Sequence, residues 1–324
     1  MGDLVLLTDH PWAGVDIERE VLGAAGAELA ECPPGATPEQ VLALCSGAAA
    51  IMTCWAPVTR AMVEAAPGLQ VVARMGVGLD NIDRDAAAER DVVVTNVPDY
   101  CVEEVSDHVV ALVHAWARGI VRYDRSVRGG DWLPAAFPLR RVSELTVGVL
   151  GLGRIGARTA AKMSALGCRV LGHDPAGAAP GVPVTEVARD VLLAESDVVT
   201  VHVPLLPATH HLVDAAFLAA MRQGALLVNV SRGGLADTAA VTAALGSGHL
   251  GGAALDVLEN EPEIPSELIA LDGAIVTPHV AFLSATSVAE LRRRAAEDVA
   301  DVLRGRAPRN AVRPPARTTM GGER

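Results

Sequence analysis

Lysine is almost missing from this sequence. Lys162 is the only one in 324 residues, and it falls on a helix that follows a glycine-rich loop, so chemistry that runs through a lysine imine is not expected. Aromatic residues are scarce too, at 3% against 50% hydrophobic. The cores must then be filled by Ala, Val and Leu, as in sheets covered by helices, which points to an α/β class. Cysteine is sparse: Cys32, Cys45, Cys54, Cys101 and Cys168 contain no CxxC pair and are odd in number. That pattern suits buried free thiols in a reducing cytoplasm and predicts no disulfides. No His pair sits at i, i+4 with a Glu, and the adjacent His210 and His211 cannot both be presented by one helix face or strand, so no metal is expected. Apolar runs of membrane-spanning length are missing, and the chain opens on Leu4-Val5-Leu6-Leu7 without a cationic region or cleavage site. Together these predict a soluble, cytoplasmic protein with no membrane partner.

Positive charge is in deficit overall, with a formal net charge of −12. Such a surface repels a phosphate backbone, so nucleic acid is not the expected partner and a small molecule fits better. One stretch is locally basic, from Arg292-Arg293-Arg294 to Arg317. It reads as a solvated helix face followed by a frayed tail that is mobile beyond Asn310.

The length favours two domains, each large enough for its own core. Short β-rich runs alternate with helical stretches, first at Leu4 to Thr8, Ala48 to Met52, Val71 to Met75 and Val92 to Asn96. A second series follows at Thr146 to Leu150, Arg169 to Gly172, Val198 to Val201, Leu226 to Asn229, Ala253 to Asp256 and Ile275 to Thr277. Strands joined by crossovers in this rhythm predict two Rossmann-like, doubly wound parallel sheets with a cleft between their domains. Val102, Val105, Val109, Val113 and Trp116 recur at helical spacing after Pro98 and mark a long amphipathic helix between the two series. A last helix, Ser287 to Leu303, ends at Gly305. Both helices read as bridges between the domains.

The first clear motif is Gly151-Leu152-Gly153-Arg154-Ile155-Gly156. A buried strand, Thr146-Val147-Gly148-Val149-Leu150, runs into it, and a helix from Ile155 to Leu166, closed by Gly167, runs out. That context marks a dinucleotide site: the first glycine permits the turn, the second lets backbone approach the pyrophosphate, and the third lets helix and strand pack closely. The helix N-terminus offers its unpaired N–H groups to the phosphates. After the next strand comes Asp174, near the ~20-residue spacing at which an acidic residue accepts both ribose hydroxyls. Its charge disfavours a 2′-phosphate, so the expected cofactor is NAD and not NADP.

Three further motifs each follow a strand: Asn229-Val230-Ser231-Arg232-Gly233-Gly234, Asp256-Val257-Leu258-Glu259-Asn260-Glu261-Pro262 and Thr277-Pro278-His279. Strand ends of an open α/β sheet converge on the crevice where ligands bind. A guanidinium grips a carboxylate through two parallel hydrogen bonds and stays charged, and a carboxylate beside an imidazole favours its protonated form. Arg232, Glu261 and His279 are thus a kit for reducing a 2-oxo acid.

Taken together, these motifs resemble the D-isomer-specific 2-hydroxyacid dehydrogenases, and within them the branch containing C-terminal-binding proteins and their bacterial relatives. The resemblance spans nearly the whole chain and includes Arg74-Met75-Gly76-Val77-Gly78-Leu79-Asp80-Asn81, Asn96-Val97-Pro98 and Met221-Arg222-Gln223-Gly224-Ala225. It implies that Arg232 binds the substrate carboxylate and polarises the carbonyl, that His279 exchanges the hydroxyl proton, and that Glu261 holds His279. It further implies a second carboxylate clamp from the N–H groups of Val77 and Gly78. Val203, Pro204 and Thr209 are placed by it on the adenine side, with Val230 and Asp256 near the nicotinamide, and Ser231 is counted with the cofactor-binding residues. His202 is read as packing, while Tyr100 and Phe282 are read equally as pocket walls or core. Ser106-Asp107-His108 departs from the Ala-Glu pair common in the family. The implied domains are residues 1–101 with 284–324 for the 2-oxo or 2-hydroxy acid, and 102–283 for NAD. A homodimer is expected, and the same resemblance permits a second reading, an NAD(H)-sensing binding module of the corepressor kind.

Overall fold

The computed structural model describes residues 2–313. Its chain divides into two compact units, residues up to Tyr100 together with those from Ser284 onward, and Cys101–Leu283.

In the first unit, strands β1 (Leu4–Leu7), β2 (Glu28–Glu31), β3 (Ala48–Thr53), β4 (Val71–Arg74) and β5 (Val93–Thr95) form a parallel sheet in the order β2-β1-β3-β4-β5. This is the flavodoxin-like winding. Every residue of β3 is buried, as a strand with helices on both faces must be. Leu6, Ile51, Val63, Val72 and Val94 share one core, so aliphatic side chains fill the space that aromatic ones would take elsewhere. The sheet has one strand more than the sequence predicts. β2 reads Glu-Leu-Ala-Glu along a sheet edge, where only Leu29 is buried, and so it carries no apolar run.

The basic stretch is a solvated face only in part: Arg293 is exposed, whereas Arg292 and Arg294 turn inward. Arg292, in the helix Ala285–Leu303, donates from Nε and Nη2 to the two carboxylate oxygens of Glu18 at 2.8 and 2.6 Å. Glu18 itself is fully buried, so the pair is an internal one. Arg294 bonds Asp99 and Glu290, each at 2.6 Å. Nor is the chain loose just past Asn310: the buried Asp298 accepts the N–H of Arg309 at 2.7 Å and the Asn310 amide at 3.0 Å. Val312 then donates to the Val94 carbonyl at 2.8 Å. The rest of the tail, from Pro314, lies outside the described residues.

In the second unit, β6 (Thr146–Leu150), β7 (Arg169–His173), β8 (Thr185–Glu186), β9 (Val198–Val201), β10 (Ala225–Asn229), β11 (Leu250–Leu255) and β12 (Ala274–Val276) form a parallel sheet in the order β12-β11-β10-β9-β6-β7-β8. The order reverses between β6 and β9, the switch point at which doubly wound sheets open a crevice. The expected parallel α/β class therefore holds for both sheets, with β8 again an unforeseen edge strand, two exposed polar residues long. On this sheet lie the helices Val102–Ala117 and Arg154–Ala165. The sole lysine ties them together, with Lys162 Nζ at 2.6 Å from Asp107 and 3.0 Å from Glu103. Its role is structural. All five cysteines are free, and burial pushes the Cys45 thiol up to about 11. Among the described residues no helix is long and apolar enough to cross a membrane.

Candidate active site

The glycine loop leaves β6 and enters the helix at Arg154. Gly151 has φ +93°, and a Cβ there would stand 2.8 Å from the His202 carbonyl group; a side chain at Gly156 would collide with the Gly151 carbonyl oxygen. Both positions therefore require glycine, one for the turn and one for helix–strand packing. Gly153 has open space beside it and is the N-cap of a helix whose first-turn N–H groups no side chain caps, and that cradle fits a pyrophosphate. Arg154 is exposed and Ile155 half-buried beside it. His202, at the end of β9, backs the loop. Burial pushes its imidazole down to about 4, and its Nε2 lies 2.9 Å from the Thr200 hydroxyl, so it is a neutral packing residue.

Asp174 follows β7. Its carboxylate accepts the N–H of Leu152 at 2.7 Å and of Ala176 at 2.8 Å, which locks the acid to the glycine loop and orients it. On the loop after β9, Thr209 donates to the Pro204 carbonyl at 2.7 Å and accepts the Leu206 N–H at 2.8 Å. Its hydroxyl thus shapes the loop that carries Val203 and Pro204. Val230 is buried, and Ser231 donates its hydroxyl to the Val201 carbonyl at 2.8 Å, linking the ends of β9 and β10.

Arg232, Glu261 and His279 lie beyond the C-terminal ends of β10, β11 and β12, the same edge that carries the glycine loop. Asn229 braces the first of these loops, its amide donating to the Arg232 carbonyl at 2.8 Å and accepting the Ser231 N–H at 3.1 Å. Glu261 Oε2 sits 2.8 Å from His279 Nδ1, and Oε1 accepts the Leu258 N–H at 3.0 Å. Burial raises the proton affinity of the Glu261 carboxyl, but the His279 and Leu258 hydrogen bonds and the Arg232 charge outweigh it and hold the group below its ordinary range. The pair is therefore an ionised carboxylate aimed at one nitrogen of an imidazole, with a guanidinium close enough to act on it. The Phe282 ring stands edge-on to His279, 6.1 Å between centroids.

Asp256 is buried beneath this loop and accepts the Thr277 hydroxyl at 2.5 Å, the Val280 N–H at 3.0 Å and the Ala281 N–H at 2.8 Å. Its carboxylate holds the chain on both sides of His279, whose own N–H donates to the Asp256 carbonyl at 2.7 Å. Because Thr277 spends its proton on Asp256, His108 Nε2 at 3.0 Å is the donor to the Thr277 oxygen. This chain from His108 through Thr277 to Asp256 is not legible in the sequence. Its only signal is the unusual Ser106-Asp107-His108 triplet. Val77 and Gly78 belong to the turn after β4 in the first unit, where Asn96 donates to the Val77 carbonyl at 2.7 Å, and Tyr100 is buried there.

Residues 110–281 match the D-isomer specific 2-hydroxyacid dehydrogenase family, NAD binding domain, and the chain belongs to that family. NAD is the cofactor of that domain. A D-3-phosphoglycerate dehydrogenase of Mycobacterium leprae is 41% identical over 246 residues, covering 75% of this chain and 46% of that protein. A glyoxylate reductase of Korarchaeum cryptofilum is 38% identical over 264 residues, covering 79% of this chain and 80% of the relative. The crystal structure of the TT0316 protein from Thermus thermophilus superposes with a TM-score of 0.88 at 34% identity, covering 96% of this chain and all of that one. This chain spans about half the length of the phosphoglycerate dehydrogenases it matches.

Proposed function

We propose that the chain is an NAD-dependent oxidoreductase that interconverts a 2-oxo acid and the corresponding D-2-hydroxy acid. The observation that carries this reading is the Glu261–His279 pair at 2.8 Å, held under the charge of Arg232 on the sheet edge that also carries the glycine loop. The bound nicotinamide supplies or takes the hydride. Arg232 grips the substrate carboxylate and polarises the adjacent carbonyl, a task for which a fixed, always charged fork is suited. His279 delivers its proton to the carbonyl oxygen as the alcohol forms, and takes it back in the reverse direction. Glu261 keeps the ring oriented through Nδ1, which leaves Nε2 as the atom that exchanges the proton.

Asp174 supports a preference for NAD over NADP through its charge at the ribose position. Val77 and Gly78 are assigned to the substrate carboxylate by family resemblance, as the first unit is assigned to substrate binding. Phosphoglycerate and glyoxylate, named in two of the relatives, bracket the acids worth testing. A homodimer through the NAD-binding unit is supported by the exposed apolar side chains of Ile120, Val127, Trp132, Leu133 and Leu139, which follow one another closely in that unit's sequence. The free thiols support a reducing, cytoplasmic setting.

The test is NADH oxidation by the purified protein across small, branched, aromatic and phosphorylated 2-oxo acids. Turnover that depends on a 2-oxo acid supports the reading, and inactivity with every acid counts against it. A corepressor-like module of the C-terminal-binding-protein branch would instead show NADH-dependent partner capture that survives His279→Gln without any turnover.

A further inference from the structure

Outside the catalytic set, the second unit gathers three ligand-type side chains that the dehydrogenase reading does not use. His210 and His211 close the loop after β9, and Glu259 lies in the loop after β11, just ahead of Glu261. One donor atom from each lies within 4.8 Å of the other two. Among the described residues no other group of three His, Cys, Asp or Glu side chains meets that condition.

Adjacent histidines converge here because the chain is in neither helix nor strand. His211 sits in a turn at φ 51°, and the two imidazoles stack with centroids 4.0 Å apart and planes at 25°. The sequence-based expectation concerned one helix face or strand, and a turn lies outside it, so the two rings can meet here. Two of the three groups are already fixed. His211 Nε2 is 2.6 Å from Glu259 Oε1, and the His211 N–H donates to the Gly234 carbonyl at 2.9 Å. Glu259 Oε2 accepts the Thr238 N–H at 3.2 Å. His210 is exposed, which lets its ring rotate and lets an ion in from solvent. A non-glycine residue held at positive φ is the kind of local strain that gathers at ligand clamps.

We propose that His210, His211 and Glu259 form a binding site for a divalent transition metal of the zinc class. Two imidazoles and a carboxylate suit Zn²⁺, with water in the fourth position, whereas Mg²⁺ and Ca²⁺ seek oxygen ligands. With Zn–N bonds of ~2.0 Å, tetrahedral ligands stand roughly 3.3 Å apart. No separation then has to close by more than about 1.5 Å, within the swing of the exposed His210 ring, while the 2.6 Å His211–Glu259 contact opens slightly. The metal takes the place of the direct His211–Glu259 contact. Once bound, it clamps the loop that leads to Glu261 onto the turn after β9, which is itself tied to Gly234 beside Arg232. The site is independent of the substrate assignment.

The test uses the full-length protein without a polyhistidine tag, stripped by a chelator and titrated calorimetrically with zinc chloride and, separately, magnesium chloride. The expected result is one Zn²⁺ per chain, no binding of Mg²⁺, and affinity at least tenfold weaker in both His210→Ala and Glu259→Gln. His210→Ala removes an exposed ring, so its fold is expected to be intact, and circular dichroism checks this. As a second readout, Co²⁺ should give intense visible bands of tetrahedral type in the wild-type protein that His210→Ala loses. Failure to bind stoichiometric Zn²⁺, or unchanged affinity in either variant, overturns the assignment.

Discussion

Lowering the pH from 7 to 5 is expected to destabilise the NAD-binding unit through His202. This ring backs the glycine loop and is buried enough that its folded-state value falls from 6.5 to about 4. The unfolded chain accepts a proton below about 6.5, while the folded chain refuses it until about 4, so stability is complete above the upper value and drains away toward the lower one. At 1.36 kcal/mol per unit, pH 5 costs about 2 kcal/mol and the whole window about 3 kcal/mol. Carboxylates act in a different window. Glu259 and Glu261 are held below their ordinary 4.5, so their contribution is present above that value and is lost only at lower pH. The range from 6.5 to 5 is therefore free of these carboxylates, and the difference between wild type and a His202 variant separates this imidazole from the other eight. Urea unfolding at several pH values, followed for the wild type and for His202→Gln, measures it directly. The variant keeps the Cβ that packs on Gly156 and a polar atom for Thr200, and its slope in that range should flatten by close to one proton. Equal slopes in the two proteins would refute the reasoning.

Three other perturbations follow from the geometry. Asp174→Ala removes the expected ribose acceptor and should weaken NADH by roughly 10- to 100-fold, the scale of a charged hydrogen bond, while narrowing the gap to NADPH; fluorescence titration of both cofactors checks it. Arg292→Leu strands the fully buried Glu18 carboxylate and should cost about 3–5 kcal/mol in thermal unfolding, most of it recovered when Glu18 is also made apolar. Thr277→Val leaves Asp256 and His108 without their shared hydroxyl and should lower kcat while leaving NADH affinity intact, a split that steady-state kinetics and cofactor titration resolve.

Much of this architecture is legible before any coordinates. Parallel strands buried on both faces advertise themselves as Val, Leu and Ala runs, so β3, β6 and β10 are plain, and the glycine loop gains its meaning from the strand and helix on either side. The two missed strands, β2 and β8, are edge strands whose Glu and Thr side chains face solvent, and no apolar pattern marks them. Charge is misleading where its partner is distant in sequence: Arg292 looks solvated until Glu18, in the first helix, is folded beneath it. The chemistry of Arg232, Glu261 and His279 can be read from strand-end motifs, but what fixes it cannot. Asp256 shows its anchoring role only when Thr277, Val280 and Ala281 are seen to converge on it, and His108 joins from another helix altogether. His210 and His211 escape the sequence argument because that argument assumes regular secondary structure, and a left-handed turn lies outside it.

The central claim is that hydride passes to the carbon beside a substrate carboxylate while His279 supplies the proton. It is tested most directly by supplying NADH carrying two deuterium atoms at the nicotinamide C4 with the best 2-oxo acid from the screen, for the wild type and for His279→Gln. The wild type should give the D-2-hydroxy acid with deuterium at C2, and the variant should be slower by ~10²–10⁴ with its NADH affinity kept, the range expected when an acid–base group is lost. Product without deuterium at C2, product of L configuration, or an unimpaired His279→Gln enzyme would contradict it.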